Sequence, residues 1–157
     1  MNLPPERGTY ALCLSLEQSC RLKVGAFGTY DFPVGIYVYL GSARGMGGLR
    51  ARLGRHLLGQ GQRRWHIDFL RSSAQVVGVL YTIQQDEMGA SLMPLECSWS
   101  QAVSKLPGAF IPVARFGASD CRSGCLAHLA AFPEGLSLEV LKEACEGYTE
   151  LLRRGKV

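Results

Sequence analysis

Residues 75–83, QVVGVLYTI, form a nearly continuous apolar run flanked by polar residues. That is the pattern of a strand buried inside a sheet rather than at its edge. GTYALCLSL (8–16) is a second strand, because Tyr10, Leu12, Leu14 and Leu16 alternate with Ala11, Cys13 and Ser15. PVGIYVYLG (33–41) is a third, bounded by Pro33 before it and by the glycine-rich SARGMGG after it. Between them, RLKVGAFGTYDF (21–32) adds short extended pieces broken at Gly25 and Gly28, so residues 8–41 read as a long β-meander.

The rest of the chain carries helical spacing. Leu49, Leu53, His56 and Leu57 share one face of a helix that Gly59 and Gly61 close. WHIDFLRSS (65–73) makes a second short helix, and MPLECSWSQAV (93–103) a third, with Leu95, Trp99 and Val103 in one stripe. PVARFGA (112–118) reads as a last strand, with a short helix near CRSGCLAHLAAF. After the turn Pro133-Glu134-Gly135, Leu138, Leu141, Cys145, Tyr148 and Leu152 predict an amphipathic C-terminal helix over about 136–154, N-capped by Ser137. The expected class is α+β, with a small central mixed or antiparallel sheet in β-β-α-α-β-α order, an extended meander and a terminal helix. At 157 residues this is a single domain, 1–157.

Hydrophobic residues at 47% and charged residues at 19% exclude a disordered or fibrous chain. No apolar run is long enough to span a bilayer, and MNLPPERGTY lacks the form of an export signal, so a cytoplasmic location with no membrane partner is expected. The six cysteines then read as reduced thiols, with Cys13, Cys20 and Cys145 as small buried apolar residues. The net charge of +4 implies little in total, but its distribution is informative. From Phe32 to Ile67 there is no acidic residue, while Arg44, Arg50, Arg52, Arg55, Arg63 and Arg64 fall inside that window. Guanidiniums without a local counter-charge point to a phosphate-rich partner, DNA or RNA. Arg44, Arg50, Arg55, Arg63 and Arg64 are the candidate nucleic-acid contacts. The competing explanation is a solvated helix face paired with distant carboxylates.

Within the same window a strand carries Tyr37 and Tyr39, a glycine loop follows, and the next helix bears Arg52 and His56 on one face. Phenol, guanidinium and imidazole groups around close-approaching backbone suit a phosphodiester. Singly, each residue has a structural explanation: a core aromatic with a satisfied hydroxyl, a surface charge, a cation at a helix C-terminus.

Together with Gly8-Thr9-Tyr10 and Glu96, these residues resemble the GIY-YIG nuclease superfamily. Its pattern is Gly-x-Tyr on one strand, Tyr-x-Gly on its neighbour, Arg-x-x-x-His on the next helix and a glutamate on a later one. Here the matching elements are Gly8-Thr9-Tyr10, Tyr39-Leu40-Gly41, Arg52-Leu53-Gly54-Arg55-His56 and Glu96. The wording YVYLGSARGMGGLRARLGRH, RWHIDFL and FGASDC is similar to a small stand-alone prokaryotic branch, sometimes fused to an endonuclease III-like repair glycosylase. The resemblance covers about residues 8–132. The literal Gly35-Ile36-Tyr37 is a decoy, since Tyr37 and Tyr39 share one strand whereas the two motif tyrosines lie on neighbouring antiparallel strands. Residues 17–32 are then an insertion between the two motif strands.

The resemblance implies a metal-dependent endonuclease, a phosphodiester hydrolase acting on DNA in repair or on structured DNA. Tyr10, Tyr39, Arg52, His56 and Glu96 are its catalytic set. Glu96 would ligate Mg²⁺ or Mn²⁺, a cation that neutralises phosphate and stabilises the leaving oxygen. Tyr10 is the principal base, provided neighbouring cations lower its pKa, with Tyr39 and His56 assisting; Arg52 holds the scissile phosphate. Many members add an asparagine after the glutamate, but the only asparagine of this chain is Asn2. Ser119, Asp120 and His128 are the candidates to stand in for it. That departure motivates a second function, a non-cleaving nucleic-acid-binding module on the same fold, and a repair protein is a candidate partner in either case.

Two other constellations are weaker. His66 and Asp68, two apart on a helix, point roughly 200° apart, a poor geometry for shared chelation, so His66 is expected to stabilise the helix start or to face the site without chemistry. Cys121-x-x-x-Cys125-x-x-His128, with Cys97 as a fourth candidate, holds zinc-ligand residue types. That spacing also suits a core-facing helical stripe, and the paired CxxC signature of zinc is absent, so the stripe is the expected reading over zinc.

Overall fold

The computed structural model describes residues 2–59, 63–83 and 93–153, with side chains as far as Thr149. The chain runs β1 (Gly8–Leu16), β2 (Cys20–Lys23), β3 (Thr29–Phe32), β4 (Gly35–Ala43), α1 (Gly48–Leu58), α2 (His66–Arg71), β5 (Gln75–Ile83), α3 (Leu95–Ser104), β6 (Leu129–Phe132), α4 (Leu138–Ala144) and β7 (Thr149–Arg153). Five strands form one sheet in the order β6-β4-β1-β5-β7, and each neighbouring pair is antiparallel. The α+β expectation holds.

The alternation in β1 becomes two buried faces. Tyr10, Leu12, Leu14 and Leu16 pack with Tyr37, Tyr39, Leu49, Leu53, Ile67 and Leu70 under α1 and α2. Ala11 and Cys13 pack with Val38, Leu40, Trp99, Val103 and Leu141 under α3 and α4. With both faces covered, β1 has no polar side to show, which is why small Ala11 and Cys13 replace the polar residues of a half-exposed strand. β5 lies inside the sheet, as its apolar run predicts. Opposite the Cys13/Leu14 step, β5 carries an extra residue: Gly78 pairs with Cys13 and Val76 with Leu14. This bulge shifts the alternation, placing Val76 and Val79 on the α1/α2 face and Val77 and Leu80 on the other.

The meander resolves into two units. β1 pairs with β4 from Gly8↔Ala43 to Leu16↔Gly35, and the intervening β2–β3 hairpin forms its own two-stranded sheet. The segment 17–32 thus stands apart from the main sheet, and its Leu22, Phe27 and Tyr30 pack back against the core. Cys13 and Cys145 are fully buried as expected, whereas Cys20, on β2, is half-buried. Gly59 closes α1 in a left-handed conformation and donates its N–H to the Arg55 carbonyl; Gly61 lies outside the described residues.

The C-terminal third departs from expectation. Residues 112–118 are turns rather than a strand, and the segment near 121–132 is loop followed by β6 rather than helix. Backbone pairing takes over there: Phe110 bridges Ala131, and β6 adds to the edge of β4. The helix expected over 136–154 is only α4, N-capped as predicted by Ser137 Oγ, which accepts from the Val140 N–H at 3.2 Å. It ends at Cys145, Gly147 turns the chain with φ +81°, and β7 then pairs with β5. Covering the open edge of β5 satisfies backbone groups that a longer helix would leave unpaired. Among the described residues, no helix is long and apolar enough to cross a membrane.

Candidate functional site

Antiparallel pairing of β1 with β4 sets Tyr10 opposite Gly41. A Cβ on Gly41 would lie 2.5 Å from the Tyr10 hydroxyl and ring, so the glycine makes room for the phenol. The Tyr10 and Tyr39 ring centroids stand 6.4 Å apart. Helix α1 brings His56 beneath them, its Nε2 2.8 Å from the Tyr10 hydroxyl, and Arg52 also hydrogen-bonds that phenol. The Arg52 N–H donates to the phenol oxygen, and the direction of the Tyr10–His56 hydrogen bond is set by the histidine tautomer. Nδ1 of His56 is buried with no hydrogen-bond partner among the described residues. Tyr37, by contrast, is buried and donates to the Pro33 carbonyl at 2.6 Å, a core aromatic with a satisfied hydroxyl, as its place on the same strand as Tyr39 led one to expect.

A cleft of about 760 Å³ opens beside this group, and Tyr39, Ser42, Arg44, Arg52, Arg64 and Glu96 are on its walls. Glu96 comes from the first turn of α3, where the helix dipole favours a carboxylate. It accepts from Ser42 Oγ at 3.2 Å, and Arg44 lies 3.8 Å from the same oxygen. Tyr39, Arg52 and Glu96 thus line one surface, whereas Tyr10 and His56 lie behind it, 0% and 1% exposed.

The electrostatics correct the expected role of Tyr10. Burial drives its pKa well above the ordinary phenol value, and the nearby Tyr39 adds to the effect; the charge and hydrogen bond of Arg52 oppose it without reversing it. Burial likewise raises Tyr39. Burial lowers His56 to about 4, with Arg52, Arg55 and Arg71 pushing the same way against Asp68. At neutral pH the group is therefore two phenols and a neutral imidazole, with no phenolate.

The arginine cluster divides. Arg44 and Arg64 are exposed on the cleft. Arg50 is exposed and donates from Nε to the Leu3 carbonyl at 2.8 Å; Arg63 lies over the Phe69 ring, 5.4 Å from its centre. Arg55 does not fit a phosphate contact: it is half-buried and paired with Asp68 at 2.7 Å, so the acid-free window borrows a counter-charge from just beyond its end. Asp68 also accepts from the Arg64 and Trp65 N–H groups at the start of α2, so it is Asp68 rather than His66 that secures that helix start. His66 accepts the Gly117 N–H at 2.8 Å. Trp65, which sequence reasoning missed, supports two of the three arginines of α1: the Arg52 and Arg55 guanidiniums sit 4.0 and 4.2 Å from its ring centre. The basic i, i+3 pair of α1 followed by an aromatic at the next helix start was the available signal.

The largest correction concerns the cysteines beside the cleft. Cys97, Cys121, Cys125 and His128 are not a helical stripe: their ligand atoms all lie within 4.8 Å of one another, a Cys₃His group that could hold a metal ion. Cys97 comes from α3, directly after Glu96; Cys121 and Cys125 come from the loop, and His128 from the approach to β6. Cys97, Cys121 and His128 line the same cleft, as do Ser119 and Asp120. Of the three candidates to replace an asparagine, all are therefore at the cleft, and His128 is already engaged with the thiols.

Fold and site together define a small α+β protein with a cation-rich cleft between a buried tyrosine–histidine pair and a metal-ligand cluster. The family described as a domain of unknown function, DUF123, matches residues 9–150, and the chain belongs to it. No curated protein and no solved structure matches the chain.

Proposed function

We propose that this chain is a metal-dependent endonuclease of the GIY-YIG kind, hydrolysing phosphodiester bonds in DNA, with repair or structured DNA as its setting. The observation that carries the reading is the convergence of Tyr39, Arg52 and Glu96 on one cleft, with the Tyr10–His56 pair directly behind Arg52. Arg64 and Arg44 at the cleft supply phosphate contacts, with Arg50 and Arg63 extending the basic surface.

Glu96 suits a hard divalent cation, since it offers one carboxylate on an open wall and such ions complete their shells with water and phosphate. When bound there, Mg²⁺ or Mn²⁺ neutralises the phosphate and stabilises the leaving oxygen. Arg52 turns from the Tyr10 hydroxyl to the scissile phosphate and offsets its growing charge. That movement uncovers the Tyr10 oxygen, which takes a proton from the attacking water while handing its own to Nε2 of His56. The exchange needs no free phenolate, so the raised pKa of Tyr10 does not block it. Burial is the main reason His56 is neutral; a phosphate anion in the cleft offsets the smaller contribution of the neighbouring arginines and favours the imidazolium that forms. Tyr39, on the cleft wall, orients the water.

Incubation of plasmid and branched oligonucleotides with Mg²⁺ or Mn²⁺ tests the reading. Wild type is expected to cut and Glu96→Ala to lose at least about a hundredfold in rate. Equal cleavage by both proteins would sink it. The ion pair of Arg44 with Glu96 favours one alternative, a module that binds nucleic acid without cutting it. Binding that falls steeply with salt, with no cleavage under any metal, identifies that module.

A further inference from the structure

We propose that Cys97, Cys121, Cys125 and His128 hold one structural Zn²⁺ that clamps the loop 112–128 to the first turn of α3. This site is separate from the Glu96 cation and stands whether or not the chain cuts nucleic acid.

Geometry is the first ground. Bonds of about 2.3 Å from zinc to sulfur, at tetrahedral angles, place ligand atoms about 3.8 Å apart. Cys97 Sγ lies 3.7 Å from Cys121 Sγ and 3.7 Å from His128 Nε2, and all four ligand atoms fall within 4.8 Å. Three thiolates and an imidazole are the ligand set of a closed structural zinc site, with no position left for substrate. All six cysteines are free, so no disulfide accounts for the approach.

The surroundings are built for the same purpose. The His128 ring is hydrogen-bonded to the Gly117 backbone, the kind of outer partner that orients a zinc-ligating histidine. Gln101 Nε2 donates to Cys125 Sγ at 3.7 Å and to the Ser123 carbonyl at 3.2 Å, and Ser100 Oγ donates to the Ala127 carbonyl at 2.8 Å. Gly117 presses against Tyr39 and His128: an added Cβ would come 2.7 Å from the Tyr39 ring. The loop itself is turns, yet it buries Val113, Phe116, Ala118, Cys125 and Ala127. Arg115 within it has φ +68°, the one positive value for a non-glycine among the described residues. Few ladder bonds hold this segment in place, and a metal cross-link supplies what they do not. Because Cys97 follows Glu96 on α3 and Gly117 lies against Tyr39, the clamp also bears on the positions of Glu96 and Tyr39.

Metal analysis of the full chain, purified with reductant and without chelator, tests the proposal. About one zinc per chain is expected, and exchange to Co²⁺ is expected to produce sulfur-to-cobalt charge transfer with intense tetrahedral bands. Cys121→Ser and Cys125→Ser should lose the zinc and those bands, while His128→Cys, which keeps four ligands, should retain zinc. Should the serine variants fail to fold, chelation of wild type supplies the second measurement: the thermal midpoint should fall and recover on adding Zn²⁺. Three results would overturn the site: zinc below about a tenth of an equivalent, zinc retained equally in a Cys121→Ser/Cys125→Ser double variant, or a Cys97–Cys121 disulfide by mass in the freshly isolated protein. None of these readouts depends on cleavage, so loss of the nuclease reading leaves the zinc site standing, and the reverse.

Discussion

The two walls of the cleft are built by different means. One wall hangs Tyr39, Arg52 and Glu96 on strand and helix, with Tyr10 and His56 packed under them in a core that backbone ladders hold rigid. The other gathers Cys121, Cys125 and His128 from a turn-rich loop and joins them to Cys97. The first wall is held by sheet pairing and apolar packing. The second depends on what its ligands share, and it should respond to chelator where the first responds to acid and to added volume.

The largest effect is expected from chelation, which removes the proposed cross-link of the loop: a fall of roughly 10 °C or more in the thermal midpoint, measured by circular dichroism with and without zinc restored. An unchanged midpoint would erase the distinction between the walls. Acid attacks the other wall. His56 is buried neutral with its pKa lowered to about 4, so the unfolded chain binds more protons than the folded one as pH falls from about 6.5. Its contribution is complete above about pH 6.5, drains away on acidification and is gone below about 4, a loss of about 3 kcal/mol at about 1.4 kcal/mol per unit. Urea unfolding of wild type and His56→Gln between pH 7 and 4 isolates this slope, which should be absent from the variant.

Gly41→Ala places a methyl against the Tyr10 phenol and is expected to cost about 2 kcal/mol by urea denaturation, with zinc content unchanged. Loss of metal from that variant would show the walls to be one mechanical unit. The smallest effect separates two arginines of one cluster. Arg64→Gln should weaken binding to duplex DNA and reduce the salt slope by about one phosphate contact, whereas Arg55→Gln should leave the slope intact because Asp68 already holds that guanidinium. Equal slopes for the two variants would remove Arg64 from the interface.

Legibility followed the range of the interactions. The strands that carry Tyr10 and Tyr39 were readable because strand alternation is local, and they pair as antiparallel neighbours. Helix α1 with Arg52 and His56 on one face was readable for the same reason, as was the Ser137 cap. The terminal stripe misled beyond Cys145, because Leu138 to Tyr148 satisfies a helical period while the open edge of β5, far away in sequence, claims Thr149–Arg153 as a strand. The spacing of Cys121, Cys125 and His128 misled in the opposite direction, since a loop folded on itself can bring together residues that a helix would only align.

The sequence by itself determined the buried sheet and the helix that carries Arg52 and His56, because these rest on periodicity and neighbour spacing. Tertiary structure alone decided that Tyr10 is a protonated phenol, that Arg55 is neutralised, and that three thiols and an imidazole meet. Desolvation, long-range ion pairing and loop closure depend on what surrounds a side chain in space, and the order of residues along the chain does not record that.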